Sequence, residues 1–78
     1  MAARLTATAF TLVGEPRTER QLRAIWHSVA ALPDIGAIAF EVEPGVPSRM
    51  IIKHKESVVL DRDAIGDAVR AAGPYDLA

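Results

Sequence analysis

At 78 residues with a formal net charge of −1, the chain has room for one small core, since units of about 60 residues bury just enough surface to hold together. The near-neutral balance and the lack of any Lys/Arg run exclude the dense positive stripe that nucleic acid or anionic lipid requires. With no cysteine there is no disulfide framework, thiolate site or redox chemistry, so cohesion rests on packing, as in a cytoplasmic protein.

The opening MAARLTATAFTLVG reads as a strand region and not as a cleaved signal peptide, because threonines interrupt its apolar run. Leu5 to Val13 alternates, with Thr6, Thr8, Phe10 and Leu12 on one face and Leu5, Ala7, Ala9, Thr11 and Val13 on the other. Gly14 and Pro16 end this strand. From Glu19 to about Leu32, the apolar positions Leu22, Ile25, Trp26, Val29 and Leu32 recur at helical spacing, and Pro33 and Asp34 stop the helix. Trp26 joins Phe10, Phe40 and Tyr75 as the large rings of a core otherwise built from Ala, Val, Ile and Leu.

Ile35 to Glu43 alternates again, with Ile38, Phe40 and Val42 to one side, and EPGVPS then makes a turn. Arg49 to Lys55 returns antiparallel, with Met50 and Ile52 toward the core and Arg49, Lys53 and Lys55 toward water. Asp61 caps a second helix with Ile65, Ala68, Val69 and Ala72 as its buried stripe; Gly73 and Pro74 end it, and YDLA leaves a short last strand. The order β-α-β-β-α-β predicts an α+β fold. Its four-stranded antiparallel sheet carries both helices on one face, the ferredoxin-like sandwich, as a single domain over residues 1–78. No apolar stretch approaches the roughly 20 residues of a membrane helix.

Thr18 and Gln21 fit a capping box at the start of the first helix, and Glu19 stands four residues before Arg23. Arg17, Arg20 and Arg23 gather positive charge at an end that is already electropositive, which suits a carboxylate or phosphate of a partner as well as a plainly solvated helix end. His27 and His54 are expected as isolated surface histidines and Met50 as core, so no metal or other cofactor is expected. No carboxylate pair and no nucleophile with its base is evident, so the chain is not expected to be an enzyme. The uncovered sheet face, with Ala7, Ala9, Thr11, Val13, Ala37, Ala39 and Ile51, reads as unusually free of charge. That face or an open sheet edge is expected to bind another copy or another domain.

LPDIGAIAFEV (Leu32 to Val42), IGDAVRAAGPY (Ile65 to Tyr75) and the stripe Leu22, Ile25, Val29 together resemble the heavy-metal-associated domain of copper chaperones and metal-pumping P-type ATPases. The resemblance covers nearly the whole chain and implies a metal-transport context, within a larger transport protein or working beside one. It breaks at the family's Cys-x-x-Cys motif. Counted from the helix stripe, the cysteine positions fall on Thr18 and Gln21; counted from Gly14, they fall on Arg17 and Arg20. The resemblance also places Tyr75 beside that loop, with Pro74 inserted before it. The expected function is a metal-free interaction or regulatory module with Arg17, Thr18, Arg20, Gln21, Arg23 and Tyr75 as its docking loop. The alternatives are a metal carrier using other ligands and an amino-acid sensor of the ACT type, which shares the element order and which LVGEPRTERQL resembles in its glycine-bearing loop. An acylphosphatase-like enzyme is weaker still, because its glycine-rich motif is missing.

Overall fold

A computed structural model describes residues 4–78; Met1 to Ala3, which open the N-terminal stretch and the single domain assigned above, lie outside the described residues. The elements run β1 (Leu5–Val13), α1 (Glu19–Ala30), β2 (Ile38–Glu41), β3 (Arg49–Lys55), α2 (Arg62–Ala71) and β4 (Asp76–Leu77). They form a small α+β domain whose four-stranded sheet has the order β2-β3-β1-β4, with every neighbouring pair antiparallel. Among the described residues, no helix is long and apolar enough to cross a membrane.

The alternation of β1 and β3 decides which side of the sheet the helices cover. Phe10 and Leu12 of β1 and Met50 and Ile52 of β3 are buried with Ile25 and Val29 of α1 and Ile65, Ala68 and Val69 of α2. The intervening residues Leu5, Ala7, Ala9, Thr11 and Val13 are exposed, as the alternation predicts. The Ser28 hydroxyl donates to the Ala68 carbonyl at 2.5 Å, tying α1 to α2 across this core.

Both caps follow from local chemistry. Thr18 and Gln21 form the reciprocal box at α1, and the Asp61 carboxylate accepts from the Ala64 N–H at 3.1 Å at α2. Helix α1 stops at Ala30, short of Leu32, because Leu32 precedes a proline and the α conformation is disfavoured there; its N–H bonds back to Val29 instead.

Strand β2 is shorter than the alternation from Ile35 to Glu43 suggests. At its start the Lys53 carbonyl accepts from the Gly36 N–H while the Lys53 N–H donates to the Ala37 carbonyl, so two residues face one and the ladder bulges. Gly36 is required there, since a Cβ would lie 2.4 Å from the Lys53 carbonyl oxygen. At its other end the Glu43 carbonyl is taken by Arg17 and not by the sheet.

Two expectations are corrected. Trp26 is not a core ring: it lies at the edge of the α1 stripe and is 41% exposed, while Ile25 and Val29 fill the interior. His54 is not a surface residue. It shares the parity of Met50 and Ile52 in β3 and is only 7% exposed. Its Nδ1 lies 2.9 Å from the Lys55 carbonyl, which can only accept, so Nδ1 carries the proton; in the neutral ring Nε2 accepts from the Thr8 hydroxyl at 2.8 Å. Replacing Thr8 with Val would strip that partner and is expected to cost about 1–2 kcal/mol in denaturant unfolding.

Arg70 pairs with Asp67 within α2 and joins that helix to β4 through Asp76. The Asp76 carboxyl is held below its ordinary value, first by the Leu77 N–H and then by the Arg70 guanidinium. A depressed folded pKa adds stability that is complete above the unfolded value of about 4 and lost as the pH falls through the lower folded value. Asp76→Asn is therefore expected to flatten the acid limb of stability against pH, measured by denaturant midpoints.

Candidate functional site

The loop between β1 and α1 is built from residues that reverse the chain and then cap a helix. Gly14 (φ +98°) and Glu15 (φ +53°) both adopt left-handed backbone, and a Cβ on Gly14 would lie 2.3 Å from the Pro74 carbonyl oxygen. Pro16 is buried, and its carbonyl accepts from the hydroxyl of the buried Ser48 at 2.7 Å. This pins the loop to the start of β3.

The helix tip is closed by its own side chains. Gln21 Oε1 accepts from the N–H groups of Arg17 (2.9 Å) and Thr18 (3.0 Å), and Thr18 Oγ1 accepts from the Gln21 N–H at 3.2 Å. Three of the N–H groups that could face an anion there, those of Arg17, Thr18 and Gln21, are therefore occupied. The three arginines diverge. The Arg17 guanidinium donates to the carbonyls of Glu43 (2.9 Å) and Val46 (2.5 Å) in the β2–β3 loop, and Arg23 pairs with Glu19 one turn back. Arg20 is exposed and has no ion pair among the described residues. Tyr75 packs at the strand end of the loop, where a Cβ on Gly14 would lie 3.0 Å from its ring. The loop is thus a structural joint in which Thr18 and Gln21 cap and Arg17 clamps.

The uncovered sheet face is less apolar than its small residues suggest. Lys53 stands beside Ala7, and Arg49 stands between Thr11 and Glu41, to which it pairs at 3.2 Å. The apolar part narrows to Ala9, Ile51 and Ala39, which lie in one row across three strands.

A second apolar surface was not legible as one in the sequence. Leu22 and Trp26 of α1 and Ile38 and Phe40 of β2 line an open groove, with Arg17, Glu19 and Arg23 at its rim and His27 beside Trp26. The rings of Trp26 and His27 meet edge to face at 5.0 Å. The stripe at 22, 25, 26 and 29 has the ordinary width of a core-facing helix face, so its pattern gave no signal that Leu22 and Trp26 would line a groove.

Among the described residues, no group of three or more His, Asp or Glu is placed to hold a metal ion. Compared with protein-family models, with curated proteins and with solved structures, the chain gives no match.

The Arg17 clamp is testable by itself. Arg17→Ala is expected to cost roughly 1 kcal/mol and to raise amide exchange across Glu43 to Val46. Arg17→Lys is expected to restore little, because an ammonium lacks the planar fork that reaches two carbonyls at once.

Proposed function

We propose that the β2-β3-β1-β4 arrangement is a ferredoxin-like sandwich related to the heavy-metal-associated domains, and that it serves as a metal-free, non-catalytic interaction module. The observation that carries this reading is the closed helix tip. Where the resemblance would put two thiolates, Thr18 and Gln21 spend their side chains on backbone N–H groups, and neighbouring Arg17 adds positive charge. A soft cation would meet repulsion there with no thiolate to offset it.

The other polar groups support a structural account as well. Asp61 caps α2, Asp67 and Asp76 hold Arg70, Glu41 holds Arg49, and both ring nitrogens of His54 are engaged. A carrier with non-cysteine ligands draws no support from this geometry. An amino-acid sensor draws none from a helix tip where the N–H groups of Arg17, Thr18 and Gln21 already have side-chain partners. The metal-transport setting rests on the resemblance alone.

Amide NMR of the labelled chain, titrated separately with Cu(I), Zn(II) and inorganic phosphate, tests the reading. No saturating shift is expected at Gly14 to Gln21 or at His54. A tight one-to-one metal complex seated at the helix tip would overturn it.

A further inference from the structure

The outer edge of β2 is short and bounded at both ends. The strand (Ile38–Glu41) pairs with β3 alone; the bulge at Gly36 and Ala37 closes its start, and Arg17 holds the Glu43 carbonyl beyond its end. The bond from the Lys53 N–H to the Ala37 carbonyl sets the phase of the ladder, so Ala39 and Glu41 exchange their bonds with β3. Within β2, Ile38 and Phe40 therefore turn their N–H and C=O groups outward, one on each side of Ala39. No lysine or proline within the strand discourages pairing.

Two open residues spaced evenly about a third are complementary to themselves. In an antiparallel pair of β2 strands with a two-fold axis at Ala39, Ile38 of each copy faces Phe40 of the other, and reciprocal main-chain bonds satisfy all of these outward groups. Ala39 then meets its own counterpart as a non-hydrogen-bonded pair, where Cα atoms approach to about 4.5 Å. Its side chain is small and lies on the exposed sheet face. On the helix face the same register joins two grooves into one channel. Ile38 and Phe40 of both copies floor it, and Leu22 and the 41% exposed Trp26 flank it from both α1 helices.

The charges fit this register too. Ala37 of one copy falls opposite Glu41 of the other, and within its own chain Ala37 stands beside Lys53. Lys53 is exposed and has no ion pair among the described residues. Two strand spacings, about 10 Å, then separate Lys53 from the second copy's Glu41 across a single methyl group, within reach of the two side chains. Glu41 already pairs with Arg49, so it comes to lie between two cations, and symmetry makes the contact twice. At the groove rim, Arg23 is neutralised by Glu19.

We infer that the chain forms a two-fold homodimer through the β2 edge, joining two sheets into one continuous sheet with Leu22 and Trp26 packed over the seam. This rests on the interaction-module reading and names its partner as a second copy. Main-chain bonds supply affinity, and the Lys53–Glu41 pairs fix the register.

Sedimentation equilibrium of the full chain from about 10 μM to about 1 mM is expected to show reversible monomer–dimer exchange, because so short an edge makes a small interface. Rising concentration is expected to slow amide exchange at Ile38 and Phe40 and to move the Trp26 indole N–H. In a mixture of labelled and unlabelled chain, isotope-filtered NMR is expected to find the Ala39 Hα of one copy against that of the other. Ala39→Lys, solvated in the monomer, sets two ammonium groups together at the axis and is expected to weaken the dimer at least about tenfold. Lys53→Glu and Glu41→Lys are each expected to weaken it, and an equimolar mixture of the two variants to recover it, since each glutamate then meets a lysine. A role confined to one chain would not be rescued by mixing. A chain still monomeric at the highest concentration, a dimer indifferent to Ala39→Lys, contacts confined to the Ala9–Ile51 part of the open face, or no recovery on mixing would each overturn the proposal. So would a β2 edge protected only by a strand of a different protein. A monomer beside a silent metal titration removes the dimer alone. A metal seated at the helix tip removes the module reading itself.

Discussion

Strand β3 is bonded on both sides, and that double commitment organises the molecule. Its register with β1 and with β2 leaves none of its backbone groups free to slip, because a shift of one residue would turn Met50, Ile52 and His54 out of the core and Arg49, Lys53 and Lys55 into it. With that parity held, both helices are confined to one face, and β2 becomes an edge because its only neighbour is already saturated.

The joint at the start of α1 depends on the same strand. Ser48 sits just before β3 and holds Pro16 by its carbonyl, and the Leu12 N–H donates to the Ser48 carbonyl. The loop's direction is thus imposed from below by the sheet and from above by the Thr18–Gln21 box. Arg17 then extends the joint to the β2–β3 loop. A segment held from three sides has its direction fixed by the fold itself.

Most of the element order was legible because the periodicities are clean. Phe10 and Leu12 against Ala9 and Thr11, Met50 and Ile52 against Arg49 and Lys53, and Ile25 and Val29 along α1 all fall where period two or 3.6 puts them. His54 was misjudged because residue type was weighed above position: its parity with Ile52 already pointed inward, and the hydroxyl that makes burial tolerable, Thr8, comes from a strand 46 residues away. Trp26 was misjudged for the opposite reason. An apolar residue at the flank of the stripe reads as core, but Trp26 stays 41% exposed there while Ile25 and Val29 meet the sheet.

The sequence by itself determined the order of elements and the capped start of α1, because each is set by neighbours within about one or two turns of chain, and its lack of cysteine leaves no thiolate. Only the tertiary structure decided that Arg17 reaches across to the β2–β3 loop, that Gly36 gives way to the Lys53 carbonyl, and that Trp26 overhangs an unpaired strand edge. Those facts join residues far apart along the chain. Their distances are set by how two helices settle on a twisted sheet, which no local pattern encodes.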